Sequence, residues 1–339
     1  MYPRTMKAMI LDRPAPISSS PLALLETAEP QPGSGEVRVR VRACGICRTD
    51  LHVIEGDLPA KRLPLIPGHQ VVGIVDRAGP GAKRFCVGDR IGIAWLRHAC
   101  GKCAYCSAGK ENLCESSLYT GYHANGGYAE YAVVPEAFAY AIPPVFADAE
   151  ATPLLCSGII GYRALMRAEV RRGGTLGVWG FGSSAHITIQ IALARGCRVY
   201  VATRGEKHQA LAREMGATWV GGAADPLPVK VDGGILFAPA GELVPVALRS
   251  IEKGGALAVA GIWLSPIPAL DYERELFYER NLRSVTANTR ADGEALLKEA
   301  AAISLRPRVT PFPLAEANQG LDQLKRDQLN GTGVLVVEC

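Results

Sequence analysis

Apolar and charged residues alternate strictly over Glu36-Val-Arg-Val-Arg-Val-Arg42, the period of a strand with one buried face, which predicts an arginine-rich wet face opposite. Val71–Val75 and Arg90–Ala94 read as further strands, bounded by Gly-Pro-Gly and Gly-Asp turns. The first part of the chain is therefore mostly β. From about Leu154 the pattern changes. Short apolar runs at Leu176–Trp179, Arg198–Ala202, Gly234–Phe237 and Ala256–Ala260 alternate with helical stretches, one reaching Arg195 and the next Met215, and this alternation ends near Ile262. Strands alternating with helices imply a parallel, doubly wound sheet. After about Asn288 come a helix, a proline-rich turn (Pro307, Pro311, Pro313), an amphipathic helix and a final strand, Gly333–Val337. No internal repeat or low-complexity linker interrupts this order. The expected fold class is α/β: a β-rich domain over residues 1–150, an inserted α/β domain over 151–287, and a return to the first domain over 288–339.

Composition narrows the function classes. With 339 residues, 48% of them apolar and 21% charged, the chain is expected to be soluble and globular with about two domains, which excludes disorder, collagen and coiled coil. A net charge of +4 from 37 basic and 33 acidic residues provides no basic stripe, so neither nucleic acid nor a membrane surface is an expected partner. A small molecule is. The first ten residues contain no apolar signal core, and no run approaches the roughly 18 apolar residues of a membrane helix, so a cytoplasmic location is expected. In a reducing compartment the ten cysteines are metal ligands, nucleophiles or small buried hydrophobes rather than disulfides.

Cys100, Cys103, Cys106 and Cys114 stand at spacings of three, three and eight in a polar loop that contains Gly101 and Gly109. Four thiolates so placed close tetrahedrally on one Zn²⁺ and leave no position for substrate, which is the pattern of a structural site. Four unrelated thiols do not fit, because free cysteines do not cluster in a polar loop without a metal or a bridge. An iron–sulfur cluster accepts the same donors, and spacing alone leaves it open.

Gly177-Val-Trp-Gly180-Phe-Gly182-Ser-Ser-Ala185 follows an apolar strand and opens a helix. In a dinucleotide loop Gly180 serves the tight turn, Gly182 lets backbone approach a pyrophosphate, and Ala185 is small enough for helix and strand to pack. The alternative is a tight structural turn. At the end of the next strand, where NAD binders carry a carboxylate for the ribose hydroxyls, the sequence is Thr203-Arg204-Gly205, with no acid before Glu206. That absence favours NADP(H), with Arg204 available to a 2′-phosphate. If Arg204 is merely a solvated residue after a strand, NAD(H) or mixed use follows instead.

Two stretches remain: Cys44-Gly-Ile-Cys47-Arg48-Thr49-Asp50-Leu-His52 and Pro67-Gly68-His69-Gln70. Spacing alone makes them a candidate Cys/His site, with a Cys44–Cys47 chelating pair and a core role for His69 both open. Together with the four-cysteine loop, Gly126-Gly-Tyr-Ala-Glu-Tyr131, Cys156-Ser-Gly158 and the glycine loop, these motifs run in an order similar to that of the zinc-dependent alcohol dehydrogenases of the medium-chain dehydrogenase/reductase superfamily. The likeness spans essentially the whole chain, and the tail resembles that of short bacterial and cinnamyl-alcohol-dehydrogenase-like members.

The resemblance implies a GroES-like catalytic domain with an inserted Rossmann domain, two Zn²⁺ per chain, and hydride transfer between an alcohol/aldehyde pair and a nicotinamide. It implies Cys47, His69 and Cys156 as catalytic zinc ligands, which makes Cys44 a non-ligand. It also implies Thr49 beside the substrate oxygen, His52 at the outer end of a proton relay, Asp50 behind the ligands, Arg48 on the pyrophosphate and Trp95 as a bulky pocket wall. A homodimer or homotetramer is expected on the same ground. Two departures stand out. Gln70 replaces the family's usual Glu after His69, leaving the inner site less negative, and Ile159-Ile160-Gly161 replaces a stretch where many relatives carry a Thr, implying a more apolar pocket. A zinc-free quinone or enoyl reductase on the same fold lacks most of the seven ligand-like residues. A sensor or structural protein that has lost chemistry has no need of Cys47, His69, Cys156, Thr49 and His52 together.

Overall fold

In the computed structural model residues 4–338 are described. Cys339, expected to be an incidental thiol, lies outside them. The chain opens with an antiparallel pair, β1 (Thr5–Leu11) and β2 (Leu22–Ala28), followed by β3 (Glu36–Gly45), helix α1 (Arg48–Glu55), β4 (Gln70–Ala78) and β5 (Arg90–Ile93). Strands β6 (Leu96–His98) and β7 (Leu118–Tyr119) pair with each other and bracket the four-cysteine loop, which carries the one-turn helix α2 (Ala104–Ser107). β8 (Tyr131–Pro135), β9 (Ala139–Ala141) and the short α3 (Asp148–Ala151) follow. Next come α4 (Ser157–Arg167), β10 (Thr175–Trp179), α5 (Ser183–Ala194), β11 (Arg198–Ala202), α6 (Glu206–Glu214), β12 (Trp219–Gly221), β13 (Val231–Leu236), α7 (Leu243–Ser250), β14 (Ile251–Val259) and β15 (Asn281–Ser284). The tail holds α8 (Arg290–Ala302), β16 (Val309–Pro313), α9 (Ala317–Lys325) and β17 (Thr332–Val336).

The described chain divides into two compact units. One comprises the residues up to Cys156, Ala287–Ala301 and the residues from Pro307 on; the other comprises Ser157–Thr286 and Ala302–Arg306. The first unit is built on a seven-stranded sheet in the order β16-β17-β3-β4-β5-β9, with β8 also paired to β3. Its core gathers Val37, Val39 and Val41 of β3 with Met9, Leu11, Val71, Val75, Ile91 and Ile93, all essentially inaccessible. The antiparallel register sets Gly45 at the end of β3 opposite Gln70 at the start of β4. Residues just after β3 and just before β4 therefore meet at one end of the sheet, and these include Cys47 and His69.

The second unit is a six-stranded sheet in the order β12-β11-β10-β13-β14-β15, with every pairing parallel. Trp179, Leu236, Leu248 and Leu257 are fully buried in its core. The glycine loop leaves the C-terminal end of central strand β10, the end at which ligands bind in open parallel sheets. No described helix is long and apolar enough to cross a membrane.

Three expectations are corrected. Arg38 belongs to no wet face: it is 3% exposed, its guanidinium donating to Asp76 at 2.6–3.2 Å and Glu29 at 2.9 Å while lying 4.6 Å from the Tyr131 ring centre. An interior strand flanked on both sides leaves little room for solvent, and two carboxylates replace the water that Arg38 gives up. Pro311 and Pro313 form no turn but lie in β16, an edge strand, where a missing N–H costs no ladder bond. The parallel sheet also continues past Ile262 into β15, whose Asn-Leu-Arg-Ser sequence carries no apolar run because it lies at the edge.

Candidate metal centres and cofactor loop

Cys47 caps α1. Its Sγ accepts from the Thr49 N–H at 3.4 Å and its own N–H donates to Asp50 Oδ2 at 3.0 Å, a capping box with sulfur in place of a hydroxyl. His69 is delivered by Gly68, whose φ of +94° a side chain rarely adopts and whose added Cβ would sit 2.3 Å from the Tyr128 ring. Cys156 stands between a 3₁₀ turn and α4. The three donors converge: Cys47 Sγ lies 3.9 Å from Cys156 Sγ, and His69 Nε2 lies 3.3 Å from the same sulfur.

This cluster has the chemistry of a cation site. Two thiolates about 4 Å apart repel by roughly 4 kcal/mol at an effective dielectric of about 20. With protons alone the pair therefore shares one: the Cys156 contact holds Cys47 well below the usual thiol range, and Cys156 is pushed well above it. Burial disfavours charge on His69, but the Asp50 carboxylate and Cys47 outweigh it and raise His69 to about 10. A divalent cation on the two sulfurs and Nε2 takes the place of those protons, and the residues present fit zinc, which accepts sulfur and imidazole donors.

Asp50 holds the arrangement together. Only 1% exposed, it accepts from the Cys47 N–H, the Gly68 N–H at 3.3 Å, His69 Nδ1–H at 2.8 Å and the Tyr128 hydroxyl at 3.2 Å. Burial pushes its carboxyl above the usual carboxylate range, while His69 and the Cys47 N–H oppose that rise. Trp95 meets the His69 ring edge-on at 4.9 Å and stacks on Tyr119 at 4.9 Å and Tyr122 at 5.8 Å. Thr49 and His52 stand three apart on α1 and so on one helix face, with His52 Nδ1 3.0 Å from Asp57 Oδ2. Arg48 Nη2 points to the Leu324 carbonyl at 3.5 Å.

Gln70 is fully buried, and neither its Oε1 nor its Nε2 has a hydrogen-bond partner. It packs over Gly45, where an added Cβ would come within 2.9 Å of its amide carbon. Cys44 is likewise sealed in the core, where burial pushes its thiol up and out of ionisation.

The second donor group is Cys100, Cys103, Cys106 and Cys114, whose sulfurs lie within 4.8 Å of one another. Backbone N–H groups line it: Cys100 N donates to Cys114 Sγ at 3.3 Å, Cys103 N to Cys100 Sγ at 3.3 Å and Cys106 N to Cys103 Sγ at 3.5 Å. Such bonds lower Cys100 to about 6, whereas burial and neighbouring sulfurs lift Cys106 to about 12.

Comparison with known proteins agrees with this layout. The alcohol dehydrogenase GroES-like domain matches residues 33–144, and the zinc-binding dehydrogenase domain matches residues 185–302. The "Probable alcohol dehydrogenase AdhA" of Mycobacterium tuberculosis is 50% identical over 338 residues, covering 98% of each chain. The chain belongs to the zinc-dependent alcohol dehydrogenases. Its fold is accordingly a GroES-like domain with a Rossmann-type domain, and its reaction is alcohol/aldehyde oxidoreduction with a nicotinamide cofactor. Among solved structures, that of AibC superimposes with a TM-score of 0.90 at 28% identity, covering 100% of this chain and 97% of that one. The cobalt- and zinc-bound thermostable alcohol dehydrogenase of Pyrobaculum aerophilum gives 0.86 at 26% identity, with 98% and 100% covered.

In this alcohol dehydrogenase the glycine loop fits a dinucleotide. Gly180 has φ +88°, and an added Cβ would strike the Ala238 backbone at 2.7 Å; at Gly182 an added Cβ would meet nothing within 4 Å, so the backbone there is open to a ligand. Ala185 is buried where α5 packs. Thr203 is 2% exposed and its hydroxyl accepts the Phe181 N–H at 3.2 Å, bracing the loop, while Arg204 is exposed and has no ion-pair partner among the described residues. Ile159 is fully buried and Ile160 half-buried.

Sequence reasoning missed Tyr128, Tyr119, Tyr122 and Asp57. Tyr128 lies in the recognised Gly126–Tyr131 motif, but its bond to Asp50 depends on Gly126–Gly127 folding against Pro67–Gly68: Gly127 N donates to the Gly68 carbonyl at 3.0 Å and Tyr128 N to that of Pro67 at 3.0 Å. Asp57 lies five residues after His52, in plain sight of a search for a ring partner.

Proposed function

We propose that the enzyme holds two zinc ions, one on Cys47, His69 and Cys156 and one on the four-cysteine loop, and uses NADP(H) in preference to NAD(H). The convergence of two sulfurs and one imidazole, three donors rather than four, carries this reading, because a zinc held by them would still have room for an alcohol or aldehyde oxygen. When bound, zinc supplies a Lewis acid that acidifies an alcohol or polarises an aldehyde, and the nicotinamide takes or returns the hydride.

The chain's own groups do the rest. Asp50 accepts the hydrogen bond of His69 Nδ1–H, which fixes the tautomer and leaves Nε2 as the lone-pair donor. The Thr49 hydroxyl takes the proton released from the alcohol as it gives its own to the cofactor ribose, and His52, on the same helix face and partly exposed, takes the proton on from the ribose toward solvent. Trp95, fixed by the rings around it, walls the substrate side and favours apolar alcohols. Arg48 and the backbone at Gly180 and Gly182 hold the pyrophosphate, Ala185 lets α5 approach, and Arg204 beside Thr203 takes the 2′-phosphate. A homodimer or homotetramer in the cytoplasm is the corresponding state.

One experiment tests most of this. Zinc content is measured alongside nicotinamide absorbance over a panel of alcohols and aldehydes with each cofactor. Two zinc ions per chain and a higher kcat/KM with NADPH are expected. One zinc or none would remove the two-site reading, and equal or reversed kcat/KM values would remove the role of Arg204.

A further inference from the structure

Between residues 101 and 118 the four-cysteine loop has almost no apolar anchorage. Only Glu111, Asn112 and Cys114 are buried there, and Leu113 is 41% exposed. Cys100, Cys103 and Cys106 share a half-buried turn, whereas Cys114 arrives eight residues later on the 3₁₀ turn Glu111–Leu113, its N–H bonded to the Glu111 carbonyl at 3.1 Å. Glu111 is therefore the residue that fixes the direction from which the fourth sulfur comes.

Its carboxylate is gripped from a distant part of the chain. Arg290, 179 residues on and the first residue of α8, donates its backbone N–H at 2.7 Å, Nε–H at 3.0 and 3.1 Å and Nη2–H at 2.6 Å. The guanidinium also sits 4.6 Å from the Phe138 ring centre and reaches the Ala137 carbonyl at 3.4 Å. A planar fork on a carboxylate fixes orientation as well as distance, which a single ammonium does not. Nothing in the proposed reaction uses this pair.

We infer that the Glu111–Arg290 pair is a clasp that keeps Cys114 in place against the other three sulfurs, so that the C-terminal return segment sets how long zinc stays in the four-cysteine site. Both residues are positioning residues. The inference rests on the two-zinc reading above.

The test is zinc release from the purified enzyme to a chromogenic chelator under reducing conditions, with the metal left on the protein counted by mass spectrometry. Arg290→Met and Glu111→Gln are compared with Arg249→Met, which removes an ion pair to Glu275 in the other unit and calibrates the effect of lost stability alone. The two clasp variants are expected to release one zinc about 10- to 100-fold faster than that control, the range seen when partners behind metal ligands are removed, with the second zinc unchanged. Arg290→Lys, which keeps the charge and loses the fork, falls between, and with Glu111→Gln it carries the test if Arg290→Met does not fold. Release no faster than in Arg249→Met, or equal acceleration of both zinc ions, overturns the clasp. A wild-type enzyme with fewer than two zinc ions fails the two-site reading itself and takes the clasp with it, an outcome separate from the other two.

Discussion

The two donor groups use the same sulfur chemistry and are built by opposite means. Cys100, Cys103, Cys106 and Cys114 come from fifteen consecutive residues and are lined by their own backbone N–H groups. Cys47 and Cys156 stand 109 residues apart with His69 between them, and the group is aligned by side chains: one buried carboxylate, Asp50, ties Cys47, Gly68, His69 and Tyr128 together. A local loop brings its four donors together from neighbouring residues, and the fold need only hold it closed, as Arg290 does at Glu111. A group that must leave one position free needs a rigid scaffold to keep a fourth protein donor away.

Changes at single residues separate the two designs. The largest effect is expected for Cys156→Ala, which should abolish turnover in a nicotinamide absorbance assay while circular dichroism stays native and one zinc remains; wild-type-like activity would refute the ligand assignment. Cys106→Ala should do the reverse, losing the other zinc and lowering the thermal midpoint by about 10 °C or more while activity per folded molecule persists. If activity and zinc at both groups vanish together in either variant, the groups are not independent. Asp50→Asn should reduce kcat or the affinity of the three-donor group by about 10- to 100-fold, read by steady-state kinetics and metal titration, with the four-cysteine group untouched. The smallest change is a gain: Gln70→Met removes two unpartnered buried amide atoms at similar volume and should stabilise the enzyme by about 1 kcal/mol in denaturant melts. A loss of stability there would mean that the amide of Gln70 serves a partner when the site is loaded.

The same contrast governs what could be read from the chain. The four-cysteine group was legible from spacing because its four donors are near neighbours in the chain. The three-donor group was not: Cys44 and Cys47 are equivalent chelators on paper, and only the register of β3 against β4, which sends Cys44 into the core and Cys47 to the cap of α1, tells them apart. Family resemblance supplied that choice, and periodicity could not. The alternating strand and the doubly wound sheet were read correctly because burial on one or both faces writes a period into the sequence. Arg38 was misread because alternation shows which residues face away from a core but not whether carboxylates wait on the other side. The bond from Tyr128 to Asp50 and the clasp from Arg290 to Glu111 join segments 78 and 179 residues apart, beyond any local signal.

The prolines of β16 have a consequence for the molecule in a crowded cell. An edge strand offers a free row of donors to any extended chain that drifts past, and this is how sheets recruit strangers into aggregates. Pro311 and Pro313 stand two apart and thus on the same side of the strand, and neither has an N–H to offer. The seven-stranded sheet of the first unit ends there in a border poor in donors, so the return segment that completes the sheet also blunts one of its two ends, the other being β9.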